Sequence, residues 1–444
     1  MSTISNHSDL LVIGAGPGGY EIAAARAALG EKVTIIERDL EGGTCLNRGC
    51  IPTKCLCAAA RRIAELSNCE QFGVHAECVS TDYSVAASRA REVVDSLRDD
   101  VKMALSKCDV VHGEARFTAS GEVAVGDELF SADRVIIATG SRPASLNIPG
   151  AELAMNSDDF LKLYNLPDDV IVIGGGVIGV EFASIMAAFG VNVTVIEYCP
   201  EILPPFDREI AKRLRSLMSR RGVKFVVGAA VNAISEDENH RKTVTYASRK
   251  GDVSLSAEMV LMAVGRRPVV PEGLDDAGIL TDRRGAIVTD DALQTTRAGV
   301  YAVGDCNGRM MLAHAASAQA NKIYGTNVNL DICPSAVFSS PEAAMVGLTE
   351  EQCAERRVEI RVSKATFAGN GKARADHATD GLVKFISDAA TGRILGCHIV
   401  GAHASDLIAE AVVAINAGVT LHSLAHDIIH GHPTLSEVVA RAAL

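Results

Sequence analysis

The sequence predicts an α/β protein in which a strand–turn–helix–strand unit occurs twice, followed by a C-terminal α+β domain. Three observations carry this. The 444-residue chain matches itself at an offset of 160 residues: residues 9–37 read DLLVIGAGPGGYEIAAARAALGEKVTIIE, residues 169–197 read DVIVIGGGVIGVEFASIMAAFGVNVTVIE, and 15 of the 29 aligned positions are identical. Each copy consists of an apolar run, three glycines, an alanine-rich stretch and a second apolar run ending in glutamate. Toward the C-terminus the pattern changes to alternating runs at residues 382–386 and 394–400, which read as antiparallel strands, and an apolar helix over 407–417.

In each copy the first apolar run, residues 10–13 or 170–173, reads as a buried parallel strand. Gly14 and Gly174 allow the tight turn. Gly16 and Gly176 let a pyrophosphate approach the backbone, and Gly19 and Gly179 let helix and strand pack closely. The helix that follows aims its N-terminal N–H groups at the phosphates. Glu37 and Glu197 are placed to accept hydrogen bonds from a ribose hydroxyl. A carboxylate repels a 2′-phosphate, and no arginine cluster follows Glu197, so the second site favours NAD over NADP.

Shortly after the first copy come Cys45 and Cys50, in GGTCLNRGCIPTK. In a regular helix, Cα atoms five residues apart are about 8 to 9 Å apart, beyond disulfide reach. Gly49 adds backbone freedom and Pro52 cannot donate back to residue 48, so the segment is predicted to be irregular, with the sulfurs meeting where a loop runs into a helix. Arg48 and Lys54 lie close by and favour thiolates. A dithiol beside one of two dinucleotide sites suggests an electron relay. One site should hold a tightly, non-covalently bound flavin dinucleotide (FAD) and the other NAD+/NADH.

Composition narrows the class. Hydrophobic content of 48% and charged content of 22% fit a soluble globular chain, and a formal net charge of −12 disfavours nucleic acid or an anionic membrane as partner. No apolar stretch is long enough to span a bilayer. The first fold signal at Asp9 leaves no room for a secretory leader, and scattered cysteines fit a reducing cytoplasm. No metal site is assigned.

Residues 134–141 (RVIIATGS) and 259–268 (MVLMAVGRRP) read as strands running into tight turns, and residues 299–305 (GVYAVGD) as a strand ending in Asp305 before a helix over 312–323. The end carries HGHPTLSE, with His432 and Glu437. Histidine suits proton transfer from a thiol, and a carboxylate on one ring nitrogen would fix the tautomer. The expected domains are 1–148, with the first site and the dithiol; 149–267, with the second site; 268–331, completing the first site; and 332–444, an interface domain.

Together these residues resemble the flavoprotein disulfide reductases, and within them the dihydrolipoamide dehydrogenases. The likeness covers nearly the whole chain, including TCLNRGCIPTK, ATGS, GRRP, GVYAVGD, LAH and HGHPTLSE. It implies that Cys45 is the interchange thiol, that Cys50 lies against the flavin, and that Lys54 sits near the flavin and pairs with Glu181. It implies FAD contacts from Gly14, Gly16, Gly19, Glu37, Lys54, Thr139, Gly140, Asp305 and Ala313, and NAD contacts from Gly174, Gly176, Gly179, Glu197 and Gly265. His432 is implied as acid–base, oriented by Glu437, and acting on the dithiol of the other subunit of a homodimer. The implied reaction oxidises protein-bound dihydrolipoamide with NAD+. The lipoyl partner would belong to a 2-oxoacid dehydrogenase or to the glycine cleavage system.

The chain departs from the family's usual pattern after Leu312-Ala313-His314, where Ala315-Ala316-Ser317-Ala318-Gln319-Ala320 replaces a lysine and acidic residues, and at Cys55 and Cys57. Competing readings are a reductase of another disulfide on the same scaffold and a non-catalytic flavin redox sensor.

Overall fold

The computed structural model describes residues 6–77, 79–248 and 251–444. Its tertiary contacts group the chain into two compact units. The first comprises the chain up to Cys55, Ala87–Ala144 and Arg266–Leu330. The second comprises Leu56–Ala86, Ser145–Gly265 and Asp331–Leu444.

The first unit is built on a seven-stranded sheet. Strands Asp109–His112, Val33–Glu37, Asn6–Ile13 and Glu128–Ile137 lie side by side in parallel. Glu128–Ile137 is long enough to serve two neighbours on its far side. Its beginning pairs antiparallel with Val123–Val125, and its end pairs in parallel with Val300–Ala302. The β-branched run of Val33–Glu37 is buried along its length, as a doubly covered parallel strand must be. One face packs Leu10, Val12 and Ile35 with Ile22 and Ala23 of helix Pro17–Ala28; the other packs Leu11, Ile13 and Ile137 with Leu274, Ile279 and Ile287. Helix Ala313–Ile323 packs on Pro17–Ala28, where Ala316 lies against Gly18. Asp305 sits on a 3₁₀ turn, Gly304–Asn307, and not at the end of the strand, because Val300–Ala302 stops three residues earlier.

The second unit contains a four-stranded parallel sheet in the order Lys224–Val227, Asn192–Glu197, Asp169–Ile173, Met259–Met262. A three-stranded antiparallel meander, Ala230–Glu236, Lys242–Ser248 and Gly251–Ala257, precedes the last strand; the sequence reading did not single it out. The C-terminal part is a five-stranded antiparallel sheet covered by helix Ala404–Asn416 and by Ser436–Ala442. Its strands Leu382–Asp388 and Ile394–Gly401 pair in register Leu382↔Val400 through Ser387↔Ile394.

Asp207 starts helix Arg208–Arg220 by accepting from the Glu209 and Ile210 N–H groups at 3.1 and 3.3 Å. Its other oxygen receives the Lys384 ammonium at 2.8 Å, and both side chains are only 1% exposed. Lys384 also reaches Glu209 at 3.3 Å and pairs with Glu350. Among the described residues no helix is long and apolar enough to cross a membrane, and no group of three His, Cys, Asp or Glu side chains could hold a metal ion.

Candidate active site

Cys45 lies in a short helix, Gly43–Arg48, and Cys50 opens the long helix Cys50–Leu66, with Gly49 breaking the path between them. The junction is a break between two helices and not a loop entering one. The two sulfurs are hydrogen-bonded free thiols. That shared hydrogen bond, followed by burial, pushes the Cys45 thiol far above its ordinary range, while the Lys54 ammonium acts weakly the other way. Farther along the helix, burial raises the Cys55 thiol; Cys57 is half-buried.

Asn47, between the two cysteines, holds the segment in place. Its amide donates to the carbonyls of Glu41 and Gly43, both at 2.9 Å, and its oxygen accepts from Arg98 Nε at 2.8 Å. Arg48 pairs with Asp39 at 2.6 Å. Asn47 had a sequence signal, its place inside the cysteine pair, but its partner Arg98 is 51 residues away.

The first fingerprint forms an open backbone cradle. Gly14 has φ +104°, open to glycine at no steric cost, and Cβ atoms added at Gly14 and Gly19 would strike the carbonyls of Ala138 and Gly14 at 2.5 and 1.9 Å. At Gly16 the nearest atom to an added Cβ would be the Gly43 Cα at 3.9 Å, so the loop is lined by backbone and leaves room. Helix Pro17–Ala28 has no side-chain cap on its N-terminus, and neither has Ala313–Ile323. Glu37 is buried and accepts from the Ala15 and Asp39 N–H groups at 2.7 and 2.9 Å, which fixes the loop and leaves further lone pairs for a ribose.

Asp305 is held by this chain's own donors. The Ser141 hydroxyl donates to it, and Arg266 donates to the Ser141 hydroxyl at 2.7 Å and to the Ser141 carbonyl at 2.9 Å. Burial raises the Asp305 carboxyl above its ordinary range, opposed by Ser141 and Arg266. The turns after ATG and VG pair with each other, Ser141–Pro143 against Arg266–Pro268. Thr139 donates to the Val269 carbonyl at 2.6 Å, and Gly140 has φ +72°. Gln319 accepts from the Gly304 N–H and from Asn307, both at 2.8 Å, and so fixes the turn carrying Asp305. The divergent 315–320 stretch thus supplies a buried clamp and a small face for close helix packing.

The second fingerprint repeats the geometry. Gly174 has φ +107°, and a Cβ on Gly179 would strike the Gly174 carbonyl at 2.0 Å. Glu197 accepts from Gly175 N–H at 2.5 Å and Cys199 N–H at 2.6 Å. Around Gly176 and Gly265 an added Cβ would meet nothing within 4 Å. Both cradles fit a dinucleotide: open backbone, an uncapped helix N-terminus and a buried acid at the end of the second strand. Glu181 is buried on the second fingerprint helix and accepts from Phe338 N–H at 2.9 Å. Lys54 belongs to the first unit and Glu181 to the second.

His432 Nδ1 lies 2.9 Å from Glu437 Oε1, while Glu437 Oε2 accepts from Thr434 N–H at 3.0 Å. The bond from His432, then that from Thr434, holds the Glu437 carboxyl below its ordinary range. Glu437 stays ionised, Nδ1 carries the proton, and Nε2 is the atom that can take one. The ring is 81% exposed.

Comparison with known proteins agrees with this geometry. Residues 8–320 match the family described as pyridine nucleotide-disulphide oxidoreductase, and residues 333–443 match its dimerisation domain. The chain is 38% identical over 450 residues to the dihydrolipoyl dehydrogenase of Chlamydia pneumoniae, covering 98% of this chain and 96% of that one. It is 38% identical over 450 residues to the dihydrolipoyl dehydrogenase of Geobacillus stearothermophilus, with 98% and 95% covered. The solved Cu(II) complex of the HOCl-induced flavoprotein disulfide reductase RclA from Escherichia coli superposes with a TM-score of 0.87 at 31% identity, covering 99% of each chain. With its dithiol, its paired nucleotide folds and its C-terminal domain all accounted for, the chain belongs to the pyridine nucleotide-disulphide oxidoreductases, a family of FAD- and NAD(H)-using dithiol/disulfide enzymes that act as dimers.

Proposed function

We propose that this chain oxidises dihydrolipoamide with NAD+. The observation that carries the reading is the His432–Glu437 pair at 2.9 Å, a base for a thiol proton, in a chain that also holds the Cys45–Cys50 dithiol. His432 Nε2 takes the proton from one substrate thiol. In the oxidised enzyme, where Cys45 and Cys50 would be joined as a disulfide, the thiolate attacks Cys45 Sγ, the Cys45–Cys50 bond breaks, and Cys50 leaves as thiolate. The second substrate thiol then displaces Cys45, closing lipoamide and leaving the electron pair on the protein dithiol. The hydrogen bond between the two sulfurs holds them side by side, as this exchange requires. FAD supplies the two-electron relay from the dithiol to NAD+.

In this reading Gly14, Gly16, Gly19, Glu37, Lys54, Thr139, Gly140, Asp305 and Ala313 hold FAD, and Gly174, Gly176, Gly179, Glu197 and Gly265 hold NAD. Lys54 and Glu181 pair near the flavin, with domains at 1–148, 149–267, 268–331 and 332–444. His432 serves the dithiol of the partner subunit, so dimerisation completes the site. The substrate is a lipoyl group on another protein of the cytoplasm, from a 2-oxoacid dehydrogenase or the glycine cleavage system.

The test is NADH oxidation by the purified yellow protein with lipoamide, against oxidised glutathione and NADPH. Turnover with NADH and lipoamide alone is expected. The likeness to RclA favours a second reading, reduction of a different oxidant. A protein that NADH bleaches and lipoamide does not recolour would select it.

A further inference from the structure

We propose that His430 and Glu410 form a positioning pair for the proton-transferring His432; this rests on the role just given to His432. His430 Nε2 lies 2.6 Å from Glu410 Oε1, and its side chain is only 9% exposed. Glu410 projects from helix Ala404–Asn416, whose Ile408, Ala411 and Ala414 are in the C-terminal core. The carboxylate is therefore mounted on a rigid element.

His432 is two residues further on, and its own surroundings do not hold it. The ring is 81% exposed, so within this chain no packing fixes its rotamer, and the residue between the histidines is Gly431, which gives the backbone maximal freedom. Orientation must come from Glu437 and from tethers on either side. Downstream, the buried Asn370 donates to the Thr434 carbonyl at 3.0 Å, Thr434 N–H donates to Glu437 at 3.0 Å, and the Thr434 hydroxyl reaches back to the Gly431 carbonyl at 2.7 Å. Upstream, the side-chain tether is the His430–Glu410 bond. Two imidazole–carboxylate pairs thus sit in succession: a buried one that anchors and an exposed one that transfers the proton. An error of about 1 Å in the placement of a reacting group can cost about 100-fold in rate.

The experiment compares wild type, His430→Ala, His430→Gln and Glu410→Gln as holoenzyme dimers with matched FAD content. Flavin reduction by NADH and dithiol reduction by dihydrolipoamide are measured separately in stopped flow. In His430→Ala the dihydrolipoamide half-reaction is expected to slow about 10- to 100-fold with NADH reduction within about twofold. His430→Gln and Glu410→Gln, which keep a hydrogen bond, should recover most of the loss. Equal slowing of both half-reactions, or no slowing of either, overturns the proposal. An independent readout is the downfield NMR signal of the proton between His432 and Glu437, assigned by its absence in His432→Gln. It should broaden or vanish in His430→Ala, and its persistence unchanged overturns the proposal whatever the substrate is. Failure of wild type itself to react with dihydrolipoamide sinks the substrate reading alone, because the NMR arm still decides the positioning role.

Discussion

The two fingerprints share 15 of 29 residues and the same backbone geometry, yet they finish in different surroundings. At the first, the redox segment comes back onto the loop: Gly42 N–H donates to the Ala15 carbonyl at 2.8 Å, and a Cβ on Gly43 would lie 2.6 Å from Gly16 Cα. At the second, nothing stands within 4 Å of an added Cβ on Gly176. Glu37 and Glu197 do the same work in both, each clamping the N–H of the residue after the first glycine. The local code therefore specifies a nucleotide cradle, and the chain packed around it decides whether the ligand is enclosed or exchangeable. A retained flavin and a diffusing nicotinamide need that difference.

The strongest way to break this comparison is to fill each cradle. Gly16→Val should give a colourless protein, and Gly176→Val a yellow one whose kcat/KM for NADH falls at least about 100-fold, read by visible absorbance and NADH oxidation. Equal FAD loss in both would mean that the two cradles do not differ. Next, Glu437→Gln acts on neither cradle, so it should slow only the dihydrolipoamide half-reaction, by about 10²- to 10⁴-fold. The Glu437 carboxyl is depressed, so the hydrogen bond its carboxylate accepts from His432 is fully present above the ordinary glutamate value of 4.5 and is lost as pH falls through the lower folded value. An NMR titration of the Glu437 carboxyl should therefore place its midpoint below 4.5.

A finer cut separates the two acids. Glu197→Ala should raise the preference for NADPH relative to NADH by about tenfold, equivalent to ~1.4 kcal/mol, with FAD content unchanged; Glu37→Ala should instead release FAD, as equilibrium dialysis would show. The smallest effect is expected at Gln319→Ala. It strands the Gly304 N–H and the Asn307 amide, at a cost of about 1–3 kcal/mol, visible as a lower unfolding midpoint at fixed scan rate. No change there would mean that the Asp305 turn is held by other contacts.

What could be read in the sequence was local. The buried strands at 10–13 and 170–173, the glycine turns and the terminal glutamates are encoded within 29 residues, and the structure shows each. The break at Gly49 followed from glycine and proline chemistry, although both sides of it proved helical. His432 and Glu437 are five residues apart and meet as expected. The residues that hold the site were hidden because their partners are distant: Arg98 reaches Asn47 across 51 positions, Arg266 reaches Ser141 across 125, and Asn370 reaches Thr434 across 64. Side-chain amides and arginines have no periodicity to betray them, so only the fold reveals which carbonyl or hydroxyl each will find.

Asp207 ties together two stretches that match separate parts of the family. It lies within the segment matching the nucleotide-binding part of the family, and Lys384 within the segment matching the dimerisation domain. One carboxylate begins a helix in the former and neutralises a buried ammonium in the latter. Removing Asp207 takes from Lys384 its one fully buried partner and leaves it to the half-exposed Glu209 and Glu350. A gene cut between residues 320 and 333 would leave Lys384 with Glu350 but without Asp207 and Glu209, and that C-terminal fragment should be less stable than the same stretch in the whole chain.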